Sequence, residues 1–170
     1  MDDGKFSHKC PVVVIITALW PPKVVELSVM IVKKDPGNLT DALLRFVGDE
    51  LLLVDSFTIC GLGYFDPSSF KRAIVVSKYV PNIRKAYSAA KRLYSSSRFE
   101  EVAEEYLERV RCVRKGPHKL CLAPYGLSFE EALEIVEERT VRRGLPEDVV
   151  LAHELASGVG RWLTKAPSRL

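Results

Sequence analysis

The stretch Leu51-Leu52-Leu53-Val54-Asp55 decides the fold, because four consecutive apolar residues lead directly into a carboxylate. A segment that is apolar at every position is typical of a strand buried on both faces, hence central in a sheet. The glycines of the following segment, 56–63, permit sharp backbone turns. Open α/β sheets usually bind ligands at the carboxyl ends of their strands. An ionised carboxylate there is rarely left without a cation or a hydrogen-bonding partner. Asp55 is therefore a candidate site residue.

Strands and helices are interleaved on both sides of this stretch. Apolar runs rich in Val and Ile predict strands at 11–19, 24–32, 73–76 and, more briefly, 120–123, with the first two joined as a hairpin. Helices are expected from about 40 to 47, 81 to 93, 99 to 110, 128 to 139 and 147 to 159, and a further helix start at Asp66-Pro67. This order predicts a mixed α/β sheet flanked by helices. The length of 170 residues suits a single domain, 1–170.

The composition argues against several classes of protein. Hydrophobic residues make up 47% and charged residues 28%, as in ordinary globular domains. The longest apolar run is too short to span a bilayer, and the start has no basic or apolar region of a signal peptide. We therefore expect a cytoplasmic protein without a membrane partner. Neither a phosphate-binding loop nor a dinucleotide fingerprint is present, so no nucleotide cofactor is expected.

The cysteines are widely scattered and form no C-x-x-C pair. Their spacing does not resemble a zinc site. In a chain without a secretion signal we expect buried, reduced thiols. The four positions are Cys10, Cys60, Cys112 and Cys121.

Positive charge is concentrated in the middle of the chain. Residues 71–119 hold 13 Lys or Arg and 5 Asp or Glu, whereas the remainder holds 12 and 17. This asymmetry predicts a polyanion partner for the middle and a cation for the acidic remainder. A solvated helical face would explain it equally well. Lys78 follows a strand, and would lie at the same sheet edge as Asp55 if the two strands are parallel; there it could hold a phosphate. The candidate nucleic-acid-binding residues are Lys78, Arg84, Lys85, Lys91 and Arg92.

Carboxylates distant in sequence are the groups that metal-assisted phosphodiester cleavage requires. They must meet around Mg²⁺ or Mn²⁺, which stabilises developing charge and lowers the pKa of an attacking water. Apart from Asp55, each candidate acid also has an ordinary role, as a helix cap, a partner of the helix dipole or a solvated terminus. The candidate metal ligands are Asp2, Asp3, Asp41 and Asp55, with Asp66 as an outer member.

His153 lies on the last predicted helix among apolar neighbours. A lone histidine in that position is more often a core residue than a catalyst. If it faces the acids instead, it could position a water or transfer a proton near neutral pH.

Several segments, in order, resemble the archaeal family long called domain of unknown function ninety-nine. The resemblance covers nearly the whole chain, although no single motif would suffice. The family is similar to endonuclease V, which implies an RNase H-like fold and metal-dependent cleavage of DNA with deaminated bases, deoxyuridine in particular. The matching segments are Asp2-Asp3-Gly4-Lys5-Phe6, Thr40-Asp41-Ala42-Leu43, residues 53–61 and 63–66, Gly126-Leu127-Ser128, Leu145-Pro146-Glu147 and Ala152-His153.

The resemblance assigns roles to individual residues. It implies that Asp2 and Asp55 are catalytic metal-binding acids, that His153 is the histidine of the last helix, and that Lys78 matches the endonuclease V lysine. Asp3 and Asp41 are further metal ligands by the same resemblance. The chain departs from the family pattern at Lys5 and Ser56, in a first strand that is short before Asp2, and around 148–149. The Pro-Tyr-Ile-Pro wedge is missing, so inosine recognition is not implied.

Two functions are consistent with these residues. The first is a DNA-repair endonuclease, dependent on Mg²⁺ or Mn²⁺, that acts on deoxyuridine-containing DNA, with RNA as an alternative substrate. The other is an RNase H-like nucleic-acid-binding or scaffold protein that does not cleave. The short first strand and the altered loop at Ser56 motivate the second function.

Overall fold

A computed structural model describes residues 1–4, 12–20, 23–93, 98–115, 118–140 and 144–165 of the chain. Strands and helices are interleaved within these ranges, as predicted. The strands are β1 (Val12–Trp20), β2 (Lys23–Val32), β3 (Leu51–Val54), β4 (Thr58–Ile59), β5 (Gly63–Tyr64), β6 (Arg72–Ser77), β7 (Arg111–Lys115) and β8 (His118–Tyr125). The helices are α1 (Thr40–Val47), α2 (Ile83–Leu93), α3 (Arg98–Arg109), α4 (Phe129–Glu138) and α5 (Glu147–Lys165), with a 3₁₀ turn at Pro67–Ser69.

The main sheet has four strands in the order β3-β6-β8-β7. β3 and β6 are parallel, with Val54 opposite Val75, while the other neighbours are antiparallel. The predicted mixed α/β sheet is therefore confirmed. Because β3 and β6 run the same way, their carboxyl ends lie at one edge of the sheet.

β3 is buried on both faces but does not occupy the predicted central position. It stands at the end of the four-stranded order within the described ranges. The N-terminal segment lies beside it, and the Met1 amine donates a hydrogen bond to the Leu53 carbonyl oxygen at 2.8 Å. This segment covers backbone that would otherwise form an open edge. β3 is therefore buried because the N-terminal segment covers its outer side, and not because it occupies a central position in the sheet.

Alternate residues of the sheet supply two hydrophobic cores, one on each face. Leu52 and Val54 pack with the residues on α1 and α3, including the large aromatic side chains Phe99 and Tyr106. Leu53 points to the other face and packs with β6, β8, α4 and the start of α5. This alternation follows from the two-residue period of a strand. Helices therefore cover both faces of the sheet, as the prediction of a flanked sheet requires.

The predicted N-terminal hairpin is confirmed. β1 and β2 form a separate antiparallel pair, in which Val12 lies opposite Val32. β1 packs against α5, the helix that carries His153. The capping box at the start of α4 is also confirmed, because the Ser128 hydroxyl accepts from the Glu131 N–H and the Glu131 carboxylate accepts from the Ser128 N–H.

The thiol prediction is wrong for one pair of cysteines. Cys112 on β7 lies directly opposite Cys121 on β8, and the two form a disulfide. The sequence did not predict β7, because its five residues include three basic side chains and lack an apolar run. Without that strand the register that brings the cysteines together was not apparent. Cys60 is buried and free, as expected, and Cys10 lies outside the described residues.

Two further boundaries differ from prediction. The helix expected to start at Asp66-Pro67 is only a 3₁₀ turn. The Asp66 side chain caps its start by accepting a hydrogen bond from the Ser68 N–H. α5 continues to Lys165, six residues past the expected end. Among the described residues, none of the helices has the length and apolar character needed to span a membrane.

Candidate active site

The N-terminal segment places Asp2 beside the carboxyl end of β3. Asp2 is only 2% exposed. Its Oδ1 accepts a hydrogen bond from the Gly4 N–H at 2.6 Å and lies 2.8 Å from the Nδ1 of His153. A buried carboxylate needs such partners because its desolvation is costly. Asp2 is thus fixed between its own segment and α5.

Asp55 joins Asp2 at this point. The two carboxyl groups lie close enough to interact, although the two residues are far apart in sequence. Surrounding protein atoms, followed by the charge and hydrogen bond of Asp2 and the charge of Asp3, raise the pKa of Asp55 to about 7. Like charges that share a site oppose each other's ionisation. Asp55 as a whole residue remains exposed, so the carboxyl pair is accessible from solvent.

Asp3 is the third acid of this cluster. Burial is the largest cause that raises its pKa to about 6, and the charge of Asp2 adds to it. The Cys60 N–H donates to Asp3 Oδ2 at 2.5 Å and acts in the opposite direction. Cys60 has a φ of +57°, an uncommon left-handed conformation for a residue with a side chain. The sequence marked only the glycines of this loop, so the role of Cys60 was missed.

His153 faces the acids. Its ring is partly exposed and contacts Asp2, so it lies beside the acids, while its catalytic role stays a prediction. Ala152 and Ala156 form the buried side of α5 at this level. Gly4 lies so close to α5 that an added Cβ would be 2.4 Å from the Ser157 nitrogen. The sequence contains Gly4 within a motif, but the close approach of the two segments was not predictable from it.

Two other acids make no contact with the cluster among the described residues. Asp41 is exposed in the first turn of α1, whose buried residues are Thr40, Leu43 and Val47. Among the described residues no contact joins Asp41 to Asp2 or Asp55, and its role as a ligand stays a prediction. Asp66 is buried and bonded to Ser68 and Arg98, which accounts for it as a structural residue.

The acidic cluster suits a hard cation in its donor atoms. Carboxylate oxygens are what Mg²⁺ and Mn²⁺ prefer, and Mg²⁺ is often held by only one or two carboxylates together with substrate phosphates. Asp2 and Asp55 supply such a pair. In the described part of the chain, however, no group of three or more His, Cys, Asp or Glu side chains is arranged to hold a metal.

The basic residues lie near the same edge of the sheet or on the following helix. Lys78 is exposed one residue past β6, at the edge where Asp55 ends β3. On α2, Ile83 and Ala90 are buried, while the basic side chains Lys85, Lys91 and Arg92 are exposed. The side chain of Arg84 lies outside the described part. The parallel orientation on which the Lys78 prediction depended is therefore present.

Comparison with known proteins agrees with the resemblance seen in the sequence. Residues 1–160 match the family described as endonuclease dU. A UPF0215 protein of the archaeon Pyrococcus horikoshii is 26% identical, over 93% of this chain and 89% of that protein. A protein of unknown function from Archaeoglobus fulgidus has a similar fold, with a TM-score of 0.76 at 19% identity over 92% of this chain and 94% of that one. The chain belongs to the endonuclease dU family.

Proposed function

We propose that this protein is a metal-dependent endonuclease with an RNase H-like fold that cleaves DNA containing deaminated bases, deoxyuridine in particular. One observation carries the proposal: at the end of β3 the buried carboxyl group of Asp2, which contacts His153, lies beside Asp55, with Asp3 next to them. Family membership supports a nucleic-acid substrate. A role in DNA repair in the cytoplasm of an archaeal cell is part of the same proposal.

Each residue at the site has a separate proposed role. Asp2 and Asp55 would hold Mg²⁺ or Mn²⁺ together with substrate phosphates, with Asp3 close by, and the ion would stabilise phosphate charge and make a bound water more acidic. The Asp2 carboxylate would accept a hydrogen bond from His153 Nδ1–H, which orients the ring and leaves Nε2 as the atom that would exchange a proton. Lys78 would contact a phosphate at the same edge. Asp41 is proposed as a further ligand on the family resemblance alone.

The direct test compares cleavage of duplexes with and without deoxyuridine, in Mg²⁺ and then in EDTA. We expect cleavage of the deoxyuridine duplex only, with loss in EDTA. Asp55→Ala should abolish cleavage and keep the fold, as judged by circular dichroism. Asp49→Ala is the matched control, because Asp49 is an exposed acid at the opposite end of β3. Cleavage that persists in EDTA or in Asp55→Ala would contradict the proposal.

A second candidate function is nucleic-acid binding without cleavage. The observation that favours it is that the described residues form no three-ligand metal group, while Asp2 Oδ1 is already engaged by Gly4 and His153. This function predicts salt-sensitive DNA binding that Asp55→Ala does not change. It also predicts that neither Mg²⁺ nor Mn²⁺ supports cleavage of any duplex by the folded protein.

A further inference from the structure

The turn after β6 presents an aromatic ring to solvent beside the candidate phosphate-binding lysine. Tyr79 is 69% exposed, and Val80 after it is also exposed. The Ser77 hydroxyl donates to the Tyr79 carbonyl oxygen at 2.8 Å, so the backbone of the turn is held by a local hydrogen bond. The turn therefore holds a large ring in solvent next to Lys78.

The register of the sheet relates this turn to the acids. Val54 lies opposite Val75 in the parallel pair, so Asp55 is level with Val76. Tyr79 follows three residues later, in the turn after β6, so it lies at most roughly 10 Å beyond the level of Asp55 along the strand direction. About three stacked nucleotides span that distance. A strand whose phosphate reaches Asp2 and Asp55 could therefore bring a neighbouring base to Tyr79.

The charge around the turn identifies the class of partner. From residue 67 to residue 99 the chain has eight Lys or Arg and no Asp or Glu. In sequence, Tyr79 stands between Lys78 and α2, whose basic residues Lys85, Lys91 and Arg92 are exposed. Basic groups that follow a backbone, combined with an exposed aromatic ring, are typical of single-strand nucleic-acid binding, because every base has a face that can stack.

We propose that Tyr79 stacks on an unpaired base of the bound nucleic acid, next to the phosphate at Lys78. This inference rests on the proposed nucleic-acid substrate. Unpaired or mismatched bases leave the helical stack at lower cost than paired ones. Tyr79 would therefore favour single-stranded or mispaired DNA over an intact duplex, and so acts as a specificity residue for the site.

The test measures binding in EDTA, so that cleavage does not interfere. Fluorescence anisotropy is recorded with a labelled single-stranded oligonucleotide and with the same strand in a fully paired duplex. We expect Tyr79→Ala to weaken single-strand binding about tenfold and duplex binding much less. Tyr79→Phe keeps the ring and should stay within about twofold of the original protein. Trp162→Ala is the control, since this 65% exposed ring lies roughly 13 Å along α5 from His153.

Each outcome separates this inference from the function on which it rests. Unchanged single-strand affinity in Tyr79→Ala, when the original protein binds, overturns the stacking role and leaves the proposed function standing. Equal losses in Tyr79→Ala and Tyr79→Phe also overturn it, because the ring would not be the contact. An equal loss in Trp162→Ala would assign the effect to exposed aromatic surface in general and likewise overturn it. If the original protein binds neither DNA, the proposed function itself fails.

Discussion

At the scale of single residues, the carboxyl groups of Asp2 and Asp55 repel each other when both are ionised. This repulsion helps to raise the pKa of Asp55, so that a proton is retained on it up to near neutral pH. A bound cation would reduce the same repulsion without a proton. Affinity for such a cation should therefore rise with pH, since ionised carboxylates are the ligands.

The pH dependence of stability follows from the sign of this shift. The pKa of Asp55 is about 7 in the folded chain and 3.8 in the unfolded reference, so the folded state binds the extra proton between these values. Without metal, the contribution of Asp55 to stability is complete below 3.8 and is lost as the pH rises through about 7. Solvent screening at this exposed residue makes the loss smaller than the shift alone implies.

Thermal unfolding in EDTA across this range measures the effect. The melting temperature should fall between about pH 4 and pH 7. In Asp55→Asn the neutral side chain cannot ionise, so the fall should be smaller, with the remainder assigned to Asp3. A profile for Asp55→Asn identical to that of the original protein would show that Asp55 does not titrate in this window.

Gly4 supports a second prediction at this scale. Its φ is +62°, and an added Cβ would meet the backbone of α5 at 2.4 Å and 2.8 Å. We expect Gly4→Ala to cost about 1–3 kcal/mol of unfolding free energy and to separate Asp2 from His153. Gly48→Ala is a matched control: its φ is +56°, but nothing lies within 4 Å of the added atom. If urea unfolding gives equal costs for the two, close packing is not what requires Gly4.

At the scale of elements, Asp66 connects α3 to the 3₁₀ turn after β5. Its side chain is 3% exposed and pairs with Arg98, in addition to both bonds from Ser68. Asp66→Ala removes the buried acceptor shared by the exposed Ser68 and the half-exposed Arg98, which should cost about 1–3 kcal/mol. Glu101→Ala removes the other, exposed partner of Arg98 and should cost less than about 1 kcal/mol.

Urea unfolding and cleavage should be measured together on these variants. Because Asp66 has no contact with the acidic cluster among those described, folded Asp66→Ala should keep its cleavage activity. A loss of cleavage activity in Asp66→Ala at unchanged stability would instead indicate that Asp66 takes part in the metal site.

The disulfide between β7 and β8 is a second feature of this scale. It joins residues nine apart in sequence, and closing a loop of that size stabilises by about 2–3 kcal/mol. Cys112→Ser should lower the unfolding free energy by that amount, and dithiothreitol should then have no further effect. Equal stability of the original protein with and without dithiothreitol would show that the bridge does not contribute.

For the whole molecule, the distribution of charge predicts how the protein binds DNA. Lys78 and Lys71 lie at opposite ends of β6, and Lys71 is paired with Asp49 at 3.7 Å. We expect Lys78→Ala to reduce the salt dependence of DNA binding by about one unit of slope, as loss of one phosphate contact does. Lys71→Ala should leave the slope unchanged. Equal slopes for both variants would place the bound DNA away from the carboxyl edge of the sheet.

The sequence alone determined the order of the main elements and the first site residue. The elements could be predicted from local patterns: Val- and Ile-rich runs, capping residues and the Leu51–Asp55 stretch. Such patterns involve only neighbours along the chain, so they can be recognised without knowledge of tertiary contacts. Asp55 followed from the same rule, since it ends an apolar strand. The family resemblance also came from the sequence, and the comparison confirms it.

Only the tertiary structure decided which of the other residues meet Asp55. The contact of Asp2 with Asp55 and His153 depends on the N-terminal segment lying between β3 and α5, which Gly4 permits by its close approach. The disulfide depended on a β7–β8 register that no apolar pattern indicated. Contacts between residues far apart in sequence are set by packing and strand register, whereas periodicity describes only neighbours along the chain.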